Sequence, residues 1–175
     1  MKTYFLAIAA CVLLLISCKS TTKATPEKSL ALDFEAKTGS TAKGSATFTE
    51  VNGEVTFTGN FSNLKPGIHA IHIHEKSDCT SPDASSAGGH WNPTFQSHGK
   101  WGAAAYHRGD IGNFTTNTSG EGTISLTTNE WCIGCGDPKK DILGKSVIVH
   151  AGADDYVTQP SGDSGARIAC TAIIR

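Results

Sequence analysis

Histidine, aspartate and cysteine are the residues in this sequence with the types and spacings to do chemistry. There are seven histidines in 175 residues. His72 and His74 stand two apart in a β-type run from Ile68. Period-two geometry sets both imidazoles on one face, close enough to share a metal. A His-x-His pair alone reads equally well as two solvated strand histidines. His90, His98 and His107 follow at intervals of eight and nine, and Asp110 comes three after His107. Three imidazoles and one carboxylate suit a closed tetrahedral zinc site. His150 ends the run Ser146-Val147-Ile148-Val149-His150. It can join the first pair in a mainly imidazole set of the kind copper takes. There are also six cysteines. Cys79, Cys132, Cys135 and Cys170 lie in the body of the chain and allow three pairings.

The elements that must position these groups read as strands. Leu30–Glu35 alternates, as do Ala46–Thr49 and Val55–Thr58, each a half-buried strand. Asn52-Gly53 between the second and third marks a tight hairpin. Further strands are predicted at Ile68–His74, Gly122–Thr128, Lys145–His150 and Arg167–Ile174. Glu75 to about Asn113 is rich in Gly, Ser, Pro, Asp and His, with little periodicity. A loop this long is uncommon in a compact domain unless it is functional or cross-linked. A bound metal would give it the order its composition cannot. A second polar loop runs from Ala151 to Ala166. No long amphipathic helix is visible. About eight short strands with long loops predict an all-β, antiparallel Greek-key sandwich or flattened barrel.

Composition narrows the function classes. Charged residues are 18% and hydrophobic residues 38%, enough for one core and too little charge for a disordered polyelectrolyte. A net charge of −1 and a pI near 6.6 do not suggest a nucleic-acid binder. The length fits one domain. Residues 1–17 read as a signal peptide: Lys2, then an apolar run from Phe5 to Ile16 too short to span a bilayer. Leu15-Ile16-Ser17-Cys18 looks like a bacterial lipobox, with Cys18 the lipidated residue and 18–29 a flexible tether. The expected location is the cell envelope, anchored to the membrane by the lipid and facing the periplasm, where disulfides persist.

The segments GIHAIHIHE (67–75), AGGHWNP (87–93), HRGDIGN (107–113), VIVHAGADD (147–155) and GARIAC (165–170) resemble the copper/zinc superoxide dismutase family. They occur in that family's order, and the resemblance covers 30–175. It implies that His72, His74, His90 and His150 hold copper. His90, His98, His107 and Asp110 would hold zinc, with His90 bridging the two metals. His69 would be structural. Asp154 would tether one histidine of each set, and Arg167 would attract and dock the superoxide anion beside copper. The implied reaction is disproportionation of superoxide to oxygen and hydrogen peroxide, by redox cycling of copper with His90 passing a proton. Zinc, with its full d-shell, would order the site. The resemblance also implies a disulfide between Cys79 and Cys170.

Cys132 and Cys135 are not required by that family. A local disulfide, a redox-active Cys-x-x-Cys and a further metal site are the three readings, the first preferred because no thioredoxin-like βαβ pattern surrounds them. The chain departs from animal members in a shorter 150–167 loop, a longer 79–90 segment, and Ser77 and Thr171 in place of glycines. The rival readings are an envelope metal-binding protein without turnover, a zinc hydrolase and a purely structural lipoprotein. Monomer and homodimer are both compatible with the sequence.

Overall fold

The computed structural model describes residues 27–175. The expected signal peptide, Cys18 and most of the expected tether lie outside the described residues. The first strand begins at Lys28, so the end of the expected tether already belongs to the fold.

Nine strands form one antiparallel sheet: β1 (Lys28–Asp33), β2 (Glu35–Ala36), β3 (Lys43–Val51), β4 (Glu54–Ser62), β5 (Gly67–His74), β6 (Gly112–Thr116), β7 (Gly122–Thr128), β8 (Lys145–His150) and β9 (Arg167–Ile173). Their order is β1-β3-β4-β7-β6-β5-β8-β9-β2. β1 and β2 are consecutive in the chain yet sit at opposite ends of that order. The chain breaks at Phe34, whose ring meets Phe61 edge-on at 5.1 Å. β1 pairs with β3 and β2 with β9, so the bend nearly closes the sheet into a barrel. The connections from β4 to β5 and from β7 to β8 each pass over two strands, which is Greek-key topology.

Two expectations are corrected. Among the described residues the count is nine strands rather than about eight: the predicted Leu30–Glu35 strand divides at Phe34, and β6 joins the seven named from the sequence. β6 falls at the end of the stretch read as loop. Its sequence is Gly-Asn-Phe-Thr-Thr, with Phe114 its one large apolar side chain in the core, too few to show an alternation.

The core follows the pleat. Phe48 from β3, Val55 and Phe57 from β4, Ile71 and Ile73 from β5, and Val147 and Val149 from β8 are fully buried inside the barrel. The Asn52-Gly53 hairpin has both residues at positive φ, 52° and 83°, as a type I′ turn demands. From His69 onward β5 is buried on both faces. Ile71 and Ile73 go to the core, while His72 and His74 go to the other side and are covered by the long loops.

Those loops carry a small cluster of their own. Ala84, Ala87, Ile148 and Cys170 pack together with Cys79 against the outside of β8 and β9. The Cys79–Cys170 disulfide crosses this cluster and joins residues 91 apart in sequence.

Candidate metal centre

Backbone pairing brings the loop histidines to the β5 pair. His74 and His90 form an isolated antiparallel bridge. Ile73 receives the Trp91 N–H at 2.9 Å and donates its own to Gly109 at 2.8 Å. One residue of β5 thereby locates both His90 and Asp110. A Cβ at Gly109 would overlap the Ile73 carbonyl oxygen, so the close approach requires glycine there.

Two clusters of donor atoms result. His72, His74, His90 and His150 form one, and His90, His98, His107 and Asp110 the other; all seven residues are buried. His90 belongs to both. In the second cluster, Asp110 Oδ1 is 2.8 Å from His90 Nδ1 and 3.3 Å from His107 Nδ1, while Oδ2 is 3.0 Å from His98 Nδ1. Tetrahedral zinc with bonds of about 2.0–2.1 Å places its ligand atoms about 3.3 Å apart, close to this crowding.

In His72, His74, His98 and His150 one ring nitrogen is tied in a way that leaves the other directed into the clusters. His74 Nδ1 donates to the Gly88 carbonyl at 3.0 Å, and His150 Nδ1 to that of Gly165 at 3.2 Å. Asp154 accepts from His72 Nε2 at 2.9 Å and from His98 Nε2 at 2.8 Å, one residue from each cluster. Such bonds set tautomer and ring direction. Six buried imidazole nitrogens then have no hydrogen-bond partner: His72 Nδ1, His74 Nε2, His90 Nε2, His98 Nδ1, His107 Nδ1 and His150 Nε2. Unpaired buried nitrogens are costly unless something binds them. Their convergence is what two neighbouring metal ions sharing His90 need.

Protonation agrees with this at the first cluster. Burial holds His72, His74 and His150 below the usual histidine range, and pushes His90 down to about 4. These four rings are therefore neutral and able to bind a metal. At His98 burial is outweighed by the Asp110 carboxylate, 3.0 Å from Nδ1, and by Asp154 at Nε2, which raise it to about 9, so a metal taken up here must displace a proton. Asp110 and Asp154 lie well below the carboxylate range: burial opposes this, but hydrogen bonds from the histidines overcome it. His69 stands apart. Its two ring nitrogens each lie 2.8 Å from a backbone oxygen, of His150 and of Lys65, so it links β5 to β8 and has no nitrogen left for a metal.

A cleft of about 450 Å³ opens over the first cluster, with His74, His90 and His150 in its wall. Among the described residues lining it, Arg167 is the one permanently charged side chain. Its guanidinium donates to the carbonyls of Ala84 at 2.7 Å and Gly88 at 2.8 Å. The 79–90 segment thus aims the arginine, and the disulfide three residues along β9 holds that segment.

Three positioning residues were not singled out from the sequence. Asn113 clamps the Asp154 backbone from both sides at 2.8 Å each. Gln159 does the same for His98, accepting its N–H at 2.8 Å and donating to its carbonyl at 3.0 Å. Gly162 closes over Asp154 at φ +70°, where a Cβ would overlap Asp154 Oδ1 and stand 2.7 Å from His98 Nε2. A glycine in a polar loop gives no such signal in sequence. Gly162→Ala is expected to displace Asp154 and to cost well over ~1 kcal/mol, since both the φ and the space are wrong. Thermal unfolding and zinc content check this; unchanged values of both would refute it.

Cys132 and Cys135 form a second disulfide, three apart in sequence.

The copper/zinc superoxide dismutase family model matches residues 42–173. A curated relative, the superoxide dismutase-like protein YojM of Bacillus subtilis (strain 168), is 38% identical over 117 residues. The match takes in 65% of this chain and 59% of YojM, so the chain spans less than two thirds of that relative. Among solved structures, the clock protein EA4 matches with a TM-score of 0.73 at 30% identity, over 85% of this chain and 94% of its own. A double mutant of a SOD-like protein from Bacillus subtilis matches with a TM-score of 0.73 at 33% identity, over 83% of this chain and 97% of its own. With its barrel, its paired histidine clusters and a family match over most of its length, this chain belongs to the copper/zinc superoxide dismutase family.

Proposed function

We propose that the protein is a superoxide dismutase of the bacterial cell envelope, using copper at the first cluster and zinc at the second. The observation that carries this is the set of six unpaired imidazole nitrogens converging on two positions that share His90. A zinc hydrolase needs an open metal position, whereas the second cluster supplies four protein ligands. When bound, copper supplies one-electron exchange with superoxide and zinc supplies fixed positive charge.

The chain's own residues do the rest. Arg167 brings the small anion to the cleft and, being tied to Ala84 and Gly88, holds its charge at a set place on the wall. His90 stands between the clusters: Nδ1 lies beside Asp110, where it would hold zinc, and Nε2 faces the first cluster. Nε2 would be the nitrogen that carries a proton to the product, and burial, which lowers the basicity of this ring, would favour its release. Asp154 keeps the rings of His72 and His98 from turning.

The test uses residues 18–175 with Cys18→Ser, loaded with copper and zinc, and follows superoxide decay by stopped flow normalised to bound copper. A rate approaching the diffusional ceiling of about 10⁹ M⁻¹s⁻¹ supports the enzyme. Metal bound tightly without faster decay assigns the chain to metal binding alone. Arg167→Ala is expected to slow the rate about tenfold or more and to flatten its dependence on salt. Equal rates and equal salt slopes would remove Arg167 from the mechanism. The lipid anchor is tested separately: labelled fatty acid should be incorporated by the full chain and lost in the Cys18→Ser variant.

A further inference from the structure

Outside the metal centre, the Cys132–Cys135 disulfide closes a short ring with one exposed cysteine. Its loop does not depend on it. The Cys132 N–H donates to the Lys140 carbonyl at 2.9 Å, and the Cys132 carbonyl accepts from Ile142 at 3.1 Å. The Ile133 N–H donates to Glu50 at 2.7 Å, and Lys28 Nζ donates to the Ile133 carbonyl at 2.9 Å. Asp141 accepts from Gly134 at 2.9 Å and Gly136 at 2.8 Å. Trp131 and Ile133 are buried to about 1% exposure and anchor the loop in the core. With its polar backbone satisfied and two side chains anchored, the loop keeps its shape whether or not the sulfurs are joined.

The two cysteines differ in access. Cys135 is exposed, whereas Cys132 is 7% exposed. An incoming thiolate must reach one sulfur in line, and the other becomes the leaving group. Here the reachable sulfur is that of Cys135. The other disulfide is shielded: Cys170 is fully buried and Cys79 lies against the Ala84, Ala87 and Ile148 cluster. A short ring on the surface and a long ring through a packed cluster should therefore behave differently toward the same reductant.

We propose that Cys132–Cys135 is a thiol–disulfide exchange site, separate from the metal centre, whose reaction partner is a dithiol protein. A partner thiolate attacks Cys135 Sγ; the Sγ–Sγ bond breaks and its electron pair goes to Cys132, which takes up a proton. The partner's second thiolate then attacks its own sulfur in the mixed disulfide and expels Cys135 as a thiolate, which is protonated in turn. The partner ends oxidised by two electrons and this chain reduced by two. Oxidation by a partner disulfide is the reverse.

The probe is reduced thioredoxin, a dithiol protein too large to enter a folded core. The purified, metal-loaded protein is incubated with it, alkylated, and mapped by mass spectrometry. The expected result is alkylation of Cys132 and Cys135 as a pair while Cys79 and Cys170 stay joined, with metal content and thermal midpoint unchanged. In the Cys132→Ser variant, Cys135 should capture an oxidised probe as a mixed disulfide. The double variant Cys132→Ser with Cys135→Ser should fold, hold metal and show no exchange. Reduction of both bridges together, reduction only on unfolding, or a Cys132–Cys135 bond inert to the probe would overturn the proposal.

Discussion

Asp154→Asn is expected to damage the copper cluster far more than the zinc cluster, although Asp154 touches one histidine of each. The reason is which oxygen becomes nitrogen. Oδ1 accepts from His98 Nε2 at 2.8 Å and from the Tyr156 N–H at 2.7 Å, while Oδ2 accepts only from His72 Nε2 at 2.9 Å. An asparagine amide placed with its oxygen at Oδ1 keeps two bonds and loses one; the flipped amide loses two and keeps one. The first orientation wins, since each buried clash of donors costs on the order of 1–3 kcal/mol. The amide then points N–H at His72 Nε2. That ring can relieve the conflict only by moving its proton to Nδ1, the nitrogen that faces the first cluster. Copper affinity should fall about 10–100-fold, the usual effect of losing such an orienting partner. Zinc retention should change much less. Competition with chelators, one metal at a time, checks this. Equal losses at both clusters, or loss of zinc first, would show that the carboxylate acts by charge and not by direction.

The second large effect is expected from breaking the Cys79–Cys170 bridge. It closes a ring over a sequence separation of 91. The chain-entropy model values that closure at about 4–5 kcal/mol at 25 °C, less if the reduced chain retains structure. For a domain of this size each kcal/mol is worth about 2–4 °C, so Cys79→Ser with Cys170→Ser should lower the thermal midpoint by about 10–20 °C. Stability is only part of the consequence. Arg167 is held by the carbonyls of Ala84 and Gly88, and that segment is held by the bridge and its small apolar cluster. Well below its new midpoint the variant should still turn over more slowly, with a weakened salt dependence, while its zinc content stays near that of the parent. A variant that is merely less stable, with parental kinetics at low temperature, would show that Arg167 is aimed without the bridge.

These two predictions rest on contacts of very different visibility in the sequence. Strand alternation already shows that Ile71 and Ile73 face one way and His72 and His74 the other, because a strand repeats every two residues. The Asn-Gly hairpin is legible for the same local reason: only a few residues accept the positive φ of both turn positions. The division of the first strand at Phe34 is not local. It depends on Phe61 and on β9, over a hundred residues away, being there to receive β2. β6 is not legible in the sequence, because a strand with one large core side chain has no period to read.

The candidate site divides in the same way. Residue type and order within the five motif segments point to the family and to every candidate residue of the metal centre but His98, which lies between the second and third segments. They do not say which nitrogen of each ring is free. That is decided by the carbonyls of Gly88 and Gly165 and by Asp154, which lie 14, 15, 82 and 56 residues from the rings they hold. Nor do they reveal the clamps of Asn113 and Gln159 or the closure of Gly162. Periodicity reports what a chain does with its own neighbours. The direction of a buried imidazole is set by groups that only the closed barrel and its loops bring within 3 Å, and for that the tertiary structure was required.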